Sequence, residues 1–195
     1  MKDTQNTTYK IVVTALMAAM VFVLTMVISI PFLGSKLRFA NAMCLLSGLL
    51  LGPVYGGLAS GIGSGLYDLL NGYGIDEALI TFISKGAIAL VGALIAGRRF
   101  DRPHWRVIAG SVAGAWVYVA LYMLKTFVYQ TFVYSLAPDA VLGVMAAKLP
   151  ASALNAAFAM IVAPLFYFAV VPALRRAQTA VRTYVWLCCK YNVSQ

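Results

Sequence analysis

The sequence predicts an all-α integral membrane protein, a single bundle of six transmembrane helices with both termini cytoplasmic. Two observations carry the class and a third carries the orientation. Apolar residues fall in about six long blocks joined by very short connections; roughly twenty apolar residues cross a bilayer as a helix, so these blocks consume most of the 195 residues. With 62% hydrophobic and only 11% charged residues, the chain would have no polar shell as a soluble globule. Backbone amides in lipid must be paired within the segment, and blocks this long and uniformly apolar exclude the alternating strands of a barrel. Lys2, Lys10, Arg98, Arg99, Arg102, Arg106, Arg175, Arg176, Arg182 and Lys190 all fall on one side if the helices alternate, which marks that side as cytoplasmic.

The first block, Ile11 to Phe32, is longer than the apolar stretch of a signal peptide and is followed by further spans, so it is expected to be retained as a helix. The second, Phe39 to Leu51, is short and stops at Gly52-Pro53, a turn that delivers the chain to the third block, Val54 to Leu70. The fourth is Ala78 to Ala96, the fifth Val107 to Phe132 and the sixth Ala151 to Leu174. Residues 1–195 are thus expected to form one domain, with 10–175 as the transmembrane core and 176–195 as a cytoplasmic tail. The apolar stretch Val181 to Leu187 suits a short amphipathic piece along the inner headgroups, with disorder at the last few residues.

Several function classes find no support. The net charge of +9 is mostly a topology signal, since a basic, aromatic-interleaved face on a soluble fold is missing and nucleic-acid binding is not expected. Cys44 lies in the second block and Cys188 and Cys189 in the tail, without disulfide or metal spacing. His104, the lone histidine, sits beside Trp105 in a basic loop and reads as an interfacial residue. No nucleophile–base set, His-Glu-x-x-His motif or phosphate-cradling loop is present, so no catalytic residue, cofactor or metal is predicted. The run Gly61-Ile62-Gly63-Ser64-Gly65 superficially matches a dinucleotide fingerprint but lies inside a membrane span, where that motif has no strand to follow.

Those glycines read better as packing. Gly57, Gly61 and Gly65 recur every four residues, as do Gly56, Ser60 and Ser64, so neighbouring backbones can approach the third helix closely and that helix is expected to be central. In the first helix Ala15, Ala18 and Ala19 leave a smooth patch near the cytoplasmic end. Polar residues inside the apolar blocks are costly in lipid and tend to line cavities. Asp68, Lys85 and Lys125 fall at similar depth, with Asn155 in the sixth helix and Arg38 and Asn41 leading into the second. Tyr67, Tyr73, Tyr118, Tyr122, Tyr129 and Tyr134 gather at the same level, together with Phe39. A tyrosine-walled cavity crossed by a few charges and amides, open to the outside, suits a flat polar solute; an interfacial aromatic belt with snorkelling lysines is the alternative.

The ordered combination of Ala15-Leu16-Met17-Ala18-Ala19, Leu50-Leu51-Gly52-Pro53-Val54-Tyr55-Gly56-Gly57, Gly61 to Leu70, Lys85-Gly86 and Leu149-Pro150 with Asn155 resembles the substrate-binding S components of energy-coupling factor transporters, over residues 10–175. The resemblance implies a six-helix protein of a prokaryotic plasma membrane that binds a vitamin from outside. It further implies docking on a scaffold membrane protein with two ATPase subunits, through an Ala-x-x-x-Ala pattern that maps onto Ala15 and Ala19. Fuel hydrolysis would then belong to the partners, in keeping with the missing nucleotide loop. The candidate substrate-binding residues are Arg38, Asn41, Tyr67, Asp68, Tyr73, Lys85, Tyr122, Lys125, Tyr129 and Asn155. The resemblance is nearest to cobalamin-type members, with pyridoxine, thiamine-precursor, riboflavin and queuosine-precursor types as competitors that no residue separates. A non-binding structural or assembly subunit of a membrane complex is the alternative class.

Overall fold

The computed structural model describes the backbone of residues 2–27, 29–32, 35–97, 103–135 and 137–192, and the side chains of 8–27, 39–97, 103–135, 137–173 and 176. Among the described residues it is a helical membrane bundle of six α-helices: α1 (Lys2–Val27), α2 (Ala40–Leu51), α3 (Pro53–Leu70), α4 (Ile75–Ala96), α5 (His104–Val128) and α6 (Pro138–Asn192). A two-stranded antiparallel hairpin, β1 (Ser29–Phe32) and β2 (Ser35–Arg38), joins α1 to α2, with Ser29 opposite Arg38 and Phe32 opposite Ser35. A π-helical turn, Tyr129–Val133, finishes α5. Among the described residues four helices are long and apolar enough to cross a bilayer; α2, at 12 residues, is shorter, and the glycines and serines of α3 dilute its hydropathy.

Most helices follow the sequence reading within a few residues, and α1 and α6 do not. The first helix begins at Lys2, ahead of Ile11, and ends at Val27, short of Phe32, because the last apolar residues pair as a strand hairpin. The sixth begins at Pro138, ahead of Ala151, and its backbone continues to Asn192, so residues from 176 onward extend the helix where a separate tail was expected. Pro150 sits inside this helix, as do Pro164 and Pro172. A proline withdraws one backbone donor and reads as a breaker in a sequence, yet neighbouring helices can sustain the segment in a membrane. The amphipathic stretch Val181 to Leu187 lies where side chains are not described, and the last few residues and Arg98, Arg99 and Arg102 lie outside the described residues.

The most enclosed element is α2 and not α3: every residue from Ala40 to Leu49 is buried, and α2 packs against α1, α3, α4, α5 and α6. Gly52 adopts φ 84°, a left-handed conformation that glycine takes without a Cβ clash, and Pro53 then opens α3. The two helices are joined by hydroxyls. Ser47 and Ser60 share a hydrogen bond of 2.6 Å, and Ser60 Oγ donates to the carbonyl of Gly56 at 2.8 Å. A Cβ on Gly56 would lie 2.5 Å from the Gly48 Cα, so the α2–α3 approach depends on glycine.

Small residues likewise set the other crossings. Gly57 and Gly86 face each other between α3 and α4, and Gly92 and Gly110 between α4 and α5. Gly63 receives the backbone of Ala18, which seats α1 on α3. The packing reading of the α3 glycines therefore holds. One buried cluster, containing Val21, Met43, Leu46, Leu49, Val107 and Tyr167, fills one part of the bundle. A second, with Ala42, Leu45, Ile88, Ala115, Ala156 and Ala159, lies nearer the cavity described next. His104 stacks obliquely on Phe168 of α6 with ring centroids 4.9 Å apart.

Candidate functional site: a tyrosine-walled chamber at one end of the bundle

The C-terminal ends of α3 and α5 and the N-terminal ends of α4 and α6 come together at one end of the bundle. Between them opens a chamber of about 390 Å³. Asp68 enters from α3 and Tyr73 from the α3–α4 turn; Thr81, Ser84 and Lys85 come from α4, Tyr118, Tyr122 and Lys125 from α5, and Lys148, Ser152 and Asn155 from α6. Helical periodicity explains the α4 and α5 sets: Glu77, Thr81 and Ser84–Lys85 recur every turn, as do Tyr118, Tyr122 and Lys125.

Asp68 and Lys85 are both deeply buried, at 5% and 7% exposure, which decides that neither is a snorkelling interfacial charge. Lys85 Nζ donates a hydrogen bond to Asn41 Oδ1 of α2 and lies 4.9 Å from the centroid of the Tyr118 ring. Tyr118 and Tyr122, one turn apart, stack with centroids 5.9 Å apart and an interplanar angle of 28°, giving the chamber a continuous aromatic wall. Asn155 directs its Nδ2 to the Ala151 carbonyl at 3.1 Å, which fixes the side chain on α6.

Toward the mouth, Lys125 forms an ion pair with Glu77 of α4. Beyond this pair lies a second hollow of about 420 Å³, lined by Thr126, Tyr129, Gln130 and Tyr134. Glu77, Tyr122, Lys125 and Lys148 border both spaces, so the ion pair stands between chamber and vestibule. Tyr129 Oη donates to Asp76 Oδ2 at 3.3 Å, a second link between α4 and the end of α5. The arrangement offers cationic and hydroxyl donors, carboxylate acceptors and a stacking face, and it holds no nucleophile–base set.

A separate apolar groove of about 520 Å³ runs along α1 and α3, bordered by Ala15, Ala18, Ala19, Phe22, Leu58 and Ile62. Ala15 and Ala19 are exposed on it, while Ala18 is buried against α3.

A model of the family described as "ECF-type riboflavin transporter, S component" matches residues 5–172 of this sequence. The chain belongs to this family. It is a transport subunit rather than an enzyme, a multi-pass membrane protein of the kind that serves vitamin uptake. An uncharacterized protein of Pyrococcus woesei is 36% identical over 111 residues, covering 55% of this chain and 72% of its own length. No solved structure matches the chain.

Of the residues predicted for the S component's site, the structure gathers Asp68, Tyr73, Lys85, Tyr122, Lys125 and Asn155 around one chamber and places Tyr129 in the adjoining vestibule. Two do not line it. Asn41 lies behind Lys85, 2% exposed, and Tyr67 is buried within α3, one position from Asp68. Arg38 falls on β2, where side chains lie outside the described residues. Sequence reasoning left Glu77, Thr81, Ser84, Lys148 and Ser152 out of the site. The one-turn spacing of Glu77, Thr81 and Lys85 was the available signal for the α4 members; Lys148 stood outside the expected sixth helix and gave none.

Proposed function

We propose that this S component captures a flat, polar vitamin of the riboflavin type from the outer face of a prokaryotic plasma membrane. It then docks on a scaffold membrane protein with two ATPase subunits that drive uptake. The observation that carries the reading is the chamber: a stacked tyrosine pair beside Lys85, Asp68 and Asn155 at one end of a membrane bundle. Stacking supplies contact area, and the buried polar groups fix orientation. A space of about 390 Å³ sits within the roughly 300–1,000 Å³ typical of small-molecule sites. It suits one tricyclic ring far better than a corrinoid with its nucleotide arm. The family description and this size together favour riboflavin over the cobalamin expected from sequence.

The chamber lies at the end opposite the α1 N-terminus, the α4–α5 connection and the C-terminal end of α6, where the cations concentrate. The positive-inside rule then turns the chamber outward and both termini to the cytoplasm, with residues 1–195 acting as one domain. The α1–α3 groove supports the docking role of Ala15, Ala18 and Ala19, because small residues on an exposed apolar strip let a partner helix approach closely.

The test is an equilibrium titration of purified protein in detergent, read by quenching of riboflavin fluorescence, beside pyridoxine, a thiamine precursor, a queuosine precursor and cobalamin. Saturable riboflavin binding is expected. Preference for another vitamin would reassign the solute, and a protein that binds none of them would be a structural subunit.

A further inference from the structure

Among the described residues Asp68 is the one buried carboxylic acid, 5% exposed in the α3 wall of the chamber. No described side chain donates a hydrogen bond to its carboxylate or forms an ion pair with it. Lys85, the other buried charge of the chamber, is engaged with Asn41 and over Tyr118, and Lys125 is taken up by Glu77. An anion held out of water without a donor is costly, and a solute that brings a donor to it recovers that cost. A second charge stands in a complementary place. Lys148 of α6 is part-buried, its ammonium has no hydrogen-bond or ion-pair partner among the described residues, and it borders both the chamber and the vestibule, whereas Asp68 borders the chamber alone.

We propose that Asp68 is a specificity-determining residue that accepts a ring N–H of the solute, such as the imide N–H that riboflavin carries between two carbonyls, while Lys148 receives the hydroxylated chain at the other end of the molecule. The ring then lies inward along the Tyr118–Tyr122 wall with its imide edge on α3, and the chain runs outward past Lys148 into the vestibule. The two charges differ in what they select. A carboxylate accepts and never donates, so Asp68 rejects flat rings that offer only acceptors or an alkylated nitrogen at that edge. An ammonium only donates, so Lys148 favours a chain of hydroxyl oxygens over a hydrocarbon one. This inference rests on the riboflavin-type reading and adds to it which end of the molecule enters the chamber.

Cycles that pair a protein variant with a flavin analogue test it, read as Kd by fluorescence quenching beside the thermal stability of the ligand-free proteins. Methylating the imide nitrogen of riboflavin is expected to raise Kd for the wild-type protein about 10- to 100-fold, the range for a hydrogen bond to a charged group. In Asp68→Ala that ratio should fall below about threefold. Asp68→Asn, which keeps the shape and a weaker, neutral acceptor, serves if the alanine variant does not fold, and its ratio should fall to about 3- to 10-fold. Lys148→Met should raise Kd about five- to tenfold for riboflavin and less than about twofold for lumiflavin, the same ring with a methyl group in place of the chain. Wild-type protein that binds riboflavin and its N-methyl derivative equally, or a folded Asp68 variant that keeps the wild-type ratio, would overturn the role of Asp68 and leave riboflavin binding standing. Equal changes for riboflavin and lumiflavin in Lys148→Met would overturn the outward course of the chain. Wild-type protein that binds no riboflavin would overturn the solute reading and this inference with it.

Discussion

Replacing Gly63 by alanine adds one methyl group at the seam between α1 and α3. A Cβ there would stand 3.0 Å from the Val21 Cβ and 3.1 Å from its Cγ1, and closer still to the carbonyl oxygen of Ala18. Carbon atoms in comfortable contact are about 3.5–4.0 Å apart, and a backbone carbonyl cannot rotate aside, so α1 must retreat from α3 by roughly half an ångström or more. Overpacking of this kind costs about 1–3 kcal/mol. At about 2–4 °C per kcal/mol for a chain of this size, Tm in detergent should fall by roughly 2–12 °C. Gly143 provides the internal control: it is exposed in α6, and nothing lies within 4 Å of its added Cβ. Gly143→Ala should leave stability unchanged or raise it by up to about 1 kcal/mol through helix propensity. Differential scanning fluorimetry on both variants decides the matter. A Gly63→Ala protein as stable as Gly143→Ala would refute the claim that close backbone approach seats α1 on α3.

Ala15→Trp or Ala19→Trp should leave solute binding by the purified protein intact while abolishing uptake in cells supplied with the energising subunits, because both residues face the open groove; loss of binding in the purified variants would count against a docking patch. Asp68→Ala should weaken riboflavin binding, measured by fluorescence titration; a lower Tm with unchanged affinity would mean that Asp68 braces the bundle instead. Tyr122→Ala removes half of the stacked wall and should cost about 0.5–1.5 kcal/mol of stacking beyond lost area, or roughly a two- to tenfold rise in Kd by the same titration. The Lys125–Glu77 pair is only part-buried, with side chains 25% and 28% exposed, so Glu77→Gln should change stability by no more than about 1 kcal/mol while speeding riboflavin dissociation in stopped-flow measurements; an unchanged rate would mean that the pair does not bar the chamber.

The class of this protein and most of its helices were legible in the sequence because they depend on local quantities. A run of apolar residues long enough to span a bilayer must be helical in lipid whatever its neighbours do. The Gly52-Pro53 turn and the small-residue spacings of α3 are equally local signals, and the structure carries each out. The start of α6 was less legible: the helix begins at Pro138 and runs through Pro150, a residue that breaks helices by local rules, while it packs along α2 and α5.

Much of the chamber was legible too, since a charge such as Asp68 or Lys85 inside an apolar block must face something other than lipid. What it faces depends on the rotation of each helix about its axis and on which ends of distant segments meet. Only the tertiary structure decided that Lys125 pairs with Glu77, that Lys148 and Ser152 complete the wall, and that Asn41 stands behind Lys85 and does not line the chamber. Hydropathy is a property of a segment, while an address in a cavity is a property of several segments at once.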